Sequence, residues 1–304
     1  MKLGLSLPHL GETTPDRIVD FAQRTESLGY DSLWALERLL RPIEPRNAPA
    51  GQFRLTELPQ HYANVFDPIE TLTYVAAHTR TIGLGTSVMN ALFHVPVVLA
   101  RRLSTLDHFS GGRLIVGLGQ GWSAEEFEAA NVPMRRRGNG FAEYIEALQA
   151  AWGPDPVSFQ GRFYRIPPAQ IGPKPLQPGG FQVLVGVSPA SDVPVERAGR
   201  TGLGLHPMIT DWETFERQLA VFRAAAPAGR EPGPIVLRVS NPITETPIDD
   251  ADRSPLSGSV DQIKDDLHRA AELGINHVMW DLNRHVPYDA QLRLLEPLIA
   301  ARPS

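Results

Sequence analysis

No cysteine occurs among the 304 residues of the chain. Disulfide bonds, thiolate nucleophiles and cysteine-ligated metal sites are therefore excluded. Long apolar runs are missing too: none reaches the roughly 18 residues of a membrane span, and the first short run ends at Pro8. We therefore expect a cytoplasmic protein without a cleavable signal and without a membrane partner.

The chain also lacks an excess of positive charge, because 29 lysines and arginines stand against 34 aspartates and glutamates, a net charge of −5. Nucleic-acid binding needs a basic face, so we predict no nucleic-acid partner. Histidines are present, among them His206 and His285 after predicted strands, but none has the spacing of a zinc motif. We therefore predict no metal site.

Short β-rich apolar runs alternate along the chain with longer segments of helical period. This alternation is typical of βαβ units with a parallel sheet, and roughly 250 residues suffice for eight such units. The sequence therefore predicts one α/β domain over residues 1–304, a (β/α)8 TIM barrel. The eight strands are predicted at Leu3–Leu7, Ser32–Leu36, Thr81–Thr86, Arg113–Leu118, Gln182–Val187, Gly202–His206, Ile235–Val239 and His277–Asp281.

Three segments interrupt the alternation, as insertions after strands 2, 4 and 7: Leu40–Val65, Pro154–Gly180 and Asn241–Gly258. The second contains a predicted hairpin, Val157–Ile166, that turns at Gln160-Gly161. We expect all three at the carboxyl ends of the strands, where long loops of a barrel usually shape a site. Surface decoration or a subunit contact is the alternative.

The stretch from Leu103 to Trp122, LSTLDHFSGGRLIVGLGQGW, is the most specific motif of the chain. It resembles the central signature of the bacterial-luciferase-like superfamily. Asp67–Leu72 and Pro173–Pro178 resemble further parts of that family, and the resemblance covers nearly the whole chain. It implies an oxidoreductase on a TIM barrel that binds coenzyme F420 or FMN, acts on a small-molecule substrate and forms a homodimer.

The resemblance also implies where the cofactor binds. In similar deazaflavin enzymes the third strand ends in a bulge with a non-proline cis peptide behind the ring, which here is the Ser87–Val88 bond. Asn90 would offer its amide to the polar edge of the ring, or it is a turn former. The remaining cofactor-binding candidates are Gly119, Gln120, Gly121 and Trp122 at the ring, and Gly186, Val187 and Ser188 near the phosphate.

Glycines at the end of the fourth strand are expected to let the ring approach the backbone closely. Trp122 would stack near the ring, or it packs in a loop. The run Arg135–Arg137 would form a mouth for an anionic cofactor tail, or it is a solvated loop. Leu203 departs from the family, which usually has aspartate there.

Glu37 and His9 are the candidates for catalysis. Similar sugar-phosphate dehydrogenases place an acid and then a histidine after the second strand, whereas this chain has Glu37 followed by Arg38. Arginine stays protonated and cannot act as a base, so Arg38 would bind an anionic group, hold Glu37 ionised, or form a surface ion pair. His9, after the first strand, would donate a proton to substrate, or it packs in its loop.

Three functions remain at this point. The first is a coenzyme F420-dependent oxidoreductase that transfers a hydride between a deazaflavin and a small organic substrate. The second is an FMNH2-dependent monooxygenase of the same fold, and the third is a non-catalytic barrel that binds a flavin or deazaflavin. The cofactor decides between the first two, because a deazaflavin lacks the ring nitrogen that supports oxygen chemistry.

Overall fold

A computed structural model describes residues 1–46, 58–284 and 286–303. Eight parallel strands form the barrel: β1 (Lys2–Ser6), β2 (Ser32–Ala35), β3 (Gly83–Thr86), β5 (Leu114–Gly119), β8 (Val183–Val187), β9 (Gly204–Pro207), β10 (Leu237–Val239) and β11 (His277–Trp280). They run in the order β10-β11-β1-β2-β3-β5-β8-β9. Parallel bridges Leu205–Ile235 and Met208–Arg238 bring the two edges together. The predicted α/β barrel is confirmed.

Helices cover the outside of the barrel. Within the described residues they are α1 (Pro15–Ser27), α2 (Pro68–His78), α3 (Pro96–Ser110), α4 (Ala124–Ala129), α5 (Asn139–Trp152), α6 (Val193–Thr201), α7 (Trp212–Ala225), α8 (Val260–Glu272) and α9 (Tyr288–Ala300). Their starts follow helix-capping rules: the Asp67 side chain accepts hydrogen bonds from two backbone N–H groups of the first turn of α2, which begins with Pro68. None of these helices is long and apolar enough to cross a membrane.

Trp34 occupies the centre of the barrel and is fully buried. Its ring stacks on His206 at a centroid distance of 5.3 Å and meets His277 edge-on at 5.7 Å. Its indole N–H donates to Ser32 Oγ at 2.8 Å, which also bonds His277 Nε2 at 2.8 Å. Gly85 leaves room for this ring, because a Cβ there would lie 2.2 Å from Trp34 Cε3.

The insertion Pro154–Gly180 differs from prediction in where it begins. It follows α5, which returns the chain to the amino ends of the strands, and it holds strands β6 (Val157–Gln160) and β7 (Arg165–Ala169). The loop of this hairpin spans residues 161–164, longer than the predicted turn. Glu143, near the start of α5, accepts hydrogen bonds from the backbone N–H groups of Phe163 and Tyr164. The hairpin therefore stands along α5 and brings its tip back to the carboxyl ends of the strands.

The other two insertions do leave from the carboxyl ends of strands, after β2 and β10. Residues 47–57 of the first lie outside the described residues. In the second, Asp266 on α8 accepts hydrogen bonds from Arg253 and from the backbone N–H of Leu256. This buried carboxylate fixes the end of the segment to the barrel.

Substitution of Gly85 by alanine should destabilise the fold by about 1–3 kcal/mol, the usual cost of overpacking a core. The added methyl group would overlap the Trp34 ring, because its carbon would lie much closer to the ring than two carbon atoms can approach. Chemical denaturation of both forms measures the change. The double variant Gly85→Ala/Trp34→Leu should lose less than the sum of the two single losses, and strict additivity would contradict the clash.

Acid should destabilise the protein through histidines buried in the barrel. Burial lowers the pKa of His206 to about 3 and that of His277 to about 4. Below pH 6.5 these histidines therefore bind protons in the unfolded chain but stay neutral in the native state, and the free energy of unfolding falls as the pH drops towards 4. Each histidine should cost about 2 kcal/mol between pH 7 and pH 5.

Urea denaturation at pH 7 and pH 5 measures this loss. The variant His277→Gln should lose about 2 kcal/mol less between the two pH values than the unchanged protein. Exposed His268 on α8 provides the matched control, since His268→Gln should leave the pH dependence as it was. An equal pH dependence in all three proteins would show that the buried imidazole does not carry the effect.

Candidate active site

Two adjoining cavities open at the carboxyl ends of the strands, with volumes of about 840 and 900 Å³. Their shared wall consists of Val88, Asn90, Trp122, Gly186, Val187 and Ser188. We call the first the inner cavity; it is also lined by Leu36, Glu37, Arg38, Tyr62, Ser87, His206, Met208 and Arg238. The second, the outer cavity, is also lined by Gly119, Gln120, Gly121, Arg137, Ala190, Ser191 and Pro194. All ten residues predicted to bind cofactor lie in these walls.

A bulge separates β3 from the short strand β4 (Met89–Asn90) and forms the floor between the cavities. Gly85 pairs with Ile115 of β5 and Met89 with Leu118, so β3–β4 carries one residue more than its partner between these pairs. The Ser87–Val88 peptide in the bulge is cis. The predicted bulge and its cis bond are confirmed.

Three side-chain and backbone contacts fix the bulge in position. The backbone N–H of Ser87 donates to Ala35 O at 2.8 Å, and Arg238 Nη1 donates to Ser87 O at 3.2 Å. Ser87 Oγ lies 2.8 Å from His206 Nε2. Because His206 Nδ1 lies 2.6 Å from the carbonyl oxygen of Val236 and must donate to it, Nε2 of the neutral ring accepts a hydrogen bond from the Ser87 hydroxyl.

The glycines of β5 and β8 make room for this bulge. A Cβ on Gly117 would lie 2.0 Å from Thr86 O, one on Gly119 2.5 Å from Val88 Cγ2, and one on Gly186 2.9 Å from Val88 Cγ1. Close approach of a ring to the fourth-strand glycines stays a prediction. Gly117 and Gly119 have a second role, because they make room for the neighbouring strand and its Val88 side chain.

Asn90 offers an unused hydrogen-bond donor to both cavities. Its backbone N–H donates to Glu37 Oε2 at 2.6 Å, which places the residue at the cavity wall. Its side-chain nitrogen is buried and has no hydrogen-bond partner among the described residues. An orphaned donor is costly in a folded protein, so a polar ligand group is a natural partner. Contact with a cofactor stays a prediction.

Glu37 pairs with a histidine that sequence reasoning missed. Its Oε1 lies 2.7 Å from Nε2 of His94, which follows β4, and the carboxylate is almost fully buried. No short motif links the two residues, because 57 positions separate them. The pair joins the inner cavity to a partly exposed imidazole.

Arg38 pairs with Glu126 and not with Glu37, so no direct contact supports the suggestion that it holds Glu37 ionised. Its Nη1 donates instead to Glu126 Oε2 at 2.8 Å, and Glu126 is fully buried at the start of α4. The guanidinium lies 4.3 Å from the ring centroid of Trp122 and 5.0 Å from that of Tyr62. Burial raises the pKa of Glu126, and Arg38 opposes that rise. The ion pair is therefore internal, not a surface pair.

His9 lies outside both cavities and is completely buried. Its Nδ1 lies 2.8 Å from Leu7 O, and its Nε2 lies 3.1 Å from the backbone N–H of Leu36, which donates to it. Burial lowers the pKa of this imidazole. Proton donation by His9 stays a prediction. This geometry argues against it, because one ring nitrogen already bonds the backbone of Leu7, just after β1, and the other bonds the backbone of Leu36, just after β2.

Arg238 is a further residue that sequence reasoning missed. It is the middle residue of β10, and its contacts with Ser87 and Asp281 place its side chain on the inner face of the barrel. Nη2 donates to Asp281 Oδ2 at 2.7 Å, while Nη1 holds the Ser87 carbonyl. A charged residue in the middle of a predicted strand was the available signal. His206, weighed only as a metal ligand, holds Ser87 instead; His285 lies outside the described residues.

The three arginines of the run Arg135–Arg137 have different surroundings. Arg135 is exposed, Arg136 packs its guanidinium 4.5 Å from the ring centroid of Phe163 at the hairpin tip, and Arg137 lines the outer cavity. One of the three arginines therefore faces the site. Leu203, at the position where the family usually has aspartate, is buried and lines a groove between α5 and α6.

Comparison with known proteins agrees with this architecture. Residues 1–244 match the model of the luciferase-like monooxygenase family. An uncharacterised protein of Mycobacterium tuberculosis is 29% identical over 263 residues, 86% of this chain and 85% of its own. An F420-dependent glucose-6-phosphate dehydrogenase of Amycolatopsis mediterranei is 30% identical over 195 residues, 62% of this chain and 52% of its own. An FMNH2-dependent dimethylsulfone monooxygenase of Pseudomonas putida is 39% identical over 85 residues, 27% and 23% of the two chains.

Solved structures show the same fold. The monooxygenase RslO1 of Streptomyces bottropensis superposes with a TM-score of 0.81 at 22% identity, over 99% of this chain and 98% of that one. The coenzyme F420-dependent tetrahydromethanopterin reductase of Methanopyrus kandleri gives 0.75 at 16% identity, over 98% and 97%. The chain therefore belongs to the luciferase-like monooxygenase family, oxidoreductases whose members use coenzyme F420 or FMN.

Proposed function

We propose that the protein is a coenzyme F420-dependent oxidoreductase that transfers a hydride between the deazaflavin and a small organic substrate. The observation that carries the proposal is the Ser87–Val88 bulge, seated on glycines in the wall of both cavities, with the unpaired amide nitrogen of Asn90 beside it. This arrangement offers a flat ring an apolar support and a donor for its polar edge. The homodimer implied by the family stays a prediction.

The choice of the deazaflavin is supported by the relatives and by the outer cavity. The F420-dependent dehydrogenase matches over 195 residues, against 85 for the FMNH2-dependent monooxygenase. Arg137 and Ser191 line the outer cavity, next to Gly119 and Ser188. Cationic and hydroxyl groups at that position suit the phosphate and the acidic tail of the coenzyme.

When bound, the deazaflavin supplies a ring carbon that takes or gives the hydride. The protein's part is to support and orient the ring and to manage a proton. Val88 and Gly186 would support the ring, and Asn90 Nδ2 would donate to its edge. Oxidation of an alcohol also releases a proton; in this proposal the Glu37 carboxylate, which lines the inner cavity, would accept it and pass it to His94 Nε2, 2.7 Å away.

An FMNH2-dependent monooxygenase is the second candidate, favoured by the 39% identity of the dimethylsulfone monooxygenase over its matched segment. In that case FMNH2, when bound, would supply the two electrons for oxygen chemistry, with one oxygen atom entering the substrate and the other leaving as water. The bulge and the inner cavity would serve both reactions. Cofactor binding therefore separates the two candidates.

Titration of the protein with oxidised and reduced deazaflavin, and in parallel with FMN and FMNH2, tests the proposal. We expect the deazaflavin to bind at micromolar concentration or tighter and FMN to bind more weakly. The visible absorption and fluorescence of the cofactors report binding directly. Tight FMN binding together with no deazaflavin binding would overturn the cofactor choice, and oxygen uptake with FMNH2 would then establish the second candidate.

Substitution of Glu37 by glutamine should lower turnover about a hundredfold, the contribution typical of a proton-transfer group. Glutamine still accepts the Asn90 N–H through its side-chain oxygen, so the cofactor dissociation constant should change little. Exposed Glu272 at the end of α8 provides the control Glu272→Gln. Unchanged turnover in Glu37→Gln would remove the proton-transfer role.

A further inference from the structure

The inner cavity borders the cationic ends of two internal ion pairs. Arg38 and Arg238 line it, whereas their partners Glu126 and Asp281 lie behind them and outside its wall. Among the described residues of its wall, Glu37 is the only one with a carboxylate, and that carboxylate bonds His94 and the backbone N–H of Asn90. The groups turned towards a substrate therefore favour a negative charge.

The two arginines differ in the donors they have left. Arg238 uses Nη2 for Asp281 and Nη1 for the Ser87 carbonyl, so it serves the bulge. Arg38 uses only Nη1 within the described ranges, and that bond goes to Glu126. Its remaining N–H groups can form the paired hydrogen bonds that a guanidinium makes with a planar anion.

Arg38 is also held rigidly before any ligand binds. Its guanidinium packs between the rings of Trp122 and Tyr62, with only 12% of the side chain exposed. A side chain that is already ordered loses little conformational freedom when it binds a ligand. The apolar side chains of Leu36 and Met208 line the same cavity and suit the hydrocarbon part of a small molecule.

We propose that Arg38 is the specificity residue of the inner cavity and that the substrate is a small organic acid whose carboxylate it binds. The proposal rests on the proposed function for the identity of the reaction, but recognition by Arg38 can be measured without turnover. Glu126 keeps the guanidinium in place, and the rest of the acid lies against Leu36 and Met208.

Benzoate and its neutral isostere benzamide are suitable probes. Calorimetry would measure the binding of each to the protein alone and to the protein saturated with deazaflavin. We expect benzoate to bind about tenfold more tightly than benzamide, because hydrogen bonds to a charged acceptor are stronger than those to a neutral one. A ratio below twofold in both states, including no binding of either probe, would overturn the proposal.

The decisive variant is the double substitution Arg38→Met/Glu126→Gln, which removes the guanidinium without leaving a buried carboxylate unpaired. The glutamine still accepts the backbone N–H of Leu39. The preference for benzoate should disappear while deazaflavin affinity stays within threefold. Exposed Arg135 gives the control Arg135→Gln for loss of one positive charge, and it should keep the full preference.

The outcomes separate this inference from the proposed function. If the unchanged protein does not bind deazaflavin, the proposed cofactor is overturned. The ratio of the affinities for benzoate and benzamide, measured on the protein alone, still tests the role of Arg38. If the protein binds deazaflavin and the variant Arg38→Met/Glu126→Gln keeps the preference for benzoate over benzamide, only the role of Arg38 is overturned. Circular dichroism and the denaturation midpoint of each variant show that the comparison is made between folded proteins.

Discussion

The site depends on the close packing of the Ser87–Val88 bulge against the neighbouring strands. Gly119 and Gly186 have no side chain where the bulge comes closest, and a Cβ on either would lie less than 3 Å from Val88, while Gly117 makes room in the same way for Thr86 just before the bulge. Arg238 and His206 hold its polar groups from inside the barrel. Because the bulge forms the floor of both cavities, cofactor and substrate would share one support, and its position sets where each can lie.

Charged and polar side chains are arranged around this floor as buried pairs. Arg38 is matched by Glu126, Arg238 by Asp281 and Glu37 by His94, each from a distant part of the chain. Burying an unpaired charge is costly, and pairing reduces that cost while fixing side-chain direction. The cavity thus has ordered polar groups whose geometry does not depend on a bound ligand.

The barrel could be predicted from sequence because each strand and helix has its own local hydrophobic period. The position of the bulge came from the family resemblance, and the structure agrees with it. The partners of Glu37 and Arg38 could not be predicted, because they lie 57 and 88 positions away along the chain. The adjacent acidic and basic side chains suggested instead that these two residues interact with each other. The environment of His9 could not be predicted for a similar reason, because its direction depends on the backbone of Leu36, which follows the neighbouring strand β2.

The hairpin of β6 and β7 spans the height of the barrel without being one of its strands. Its base lies near the end of α5, and its tip packs Phe163 against Arg136 close to the outer cavity. Lengthening or shortening this ribbon would reshape the entrance while the strands that carry the floor keep their register. Relatives could therefore diverge in which molecules they admit through a part of the fold that tolerates insertion and deletion, with the chemistry beneath left intact.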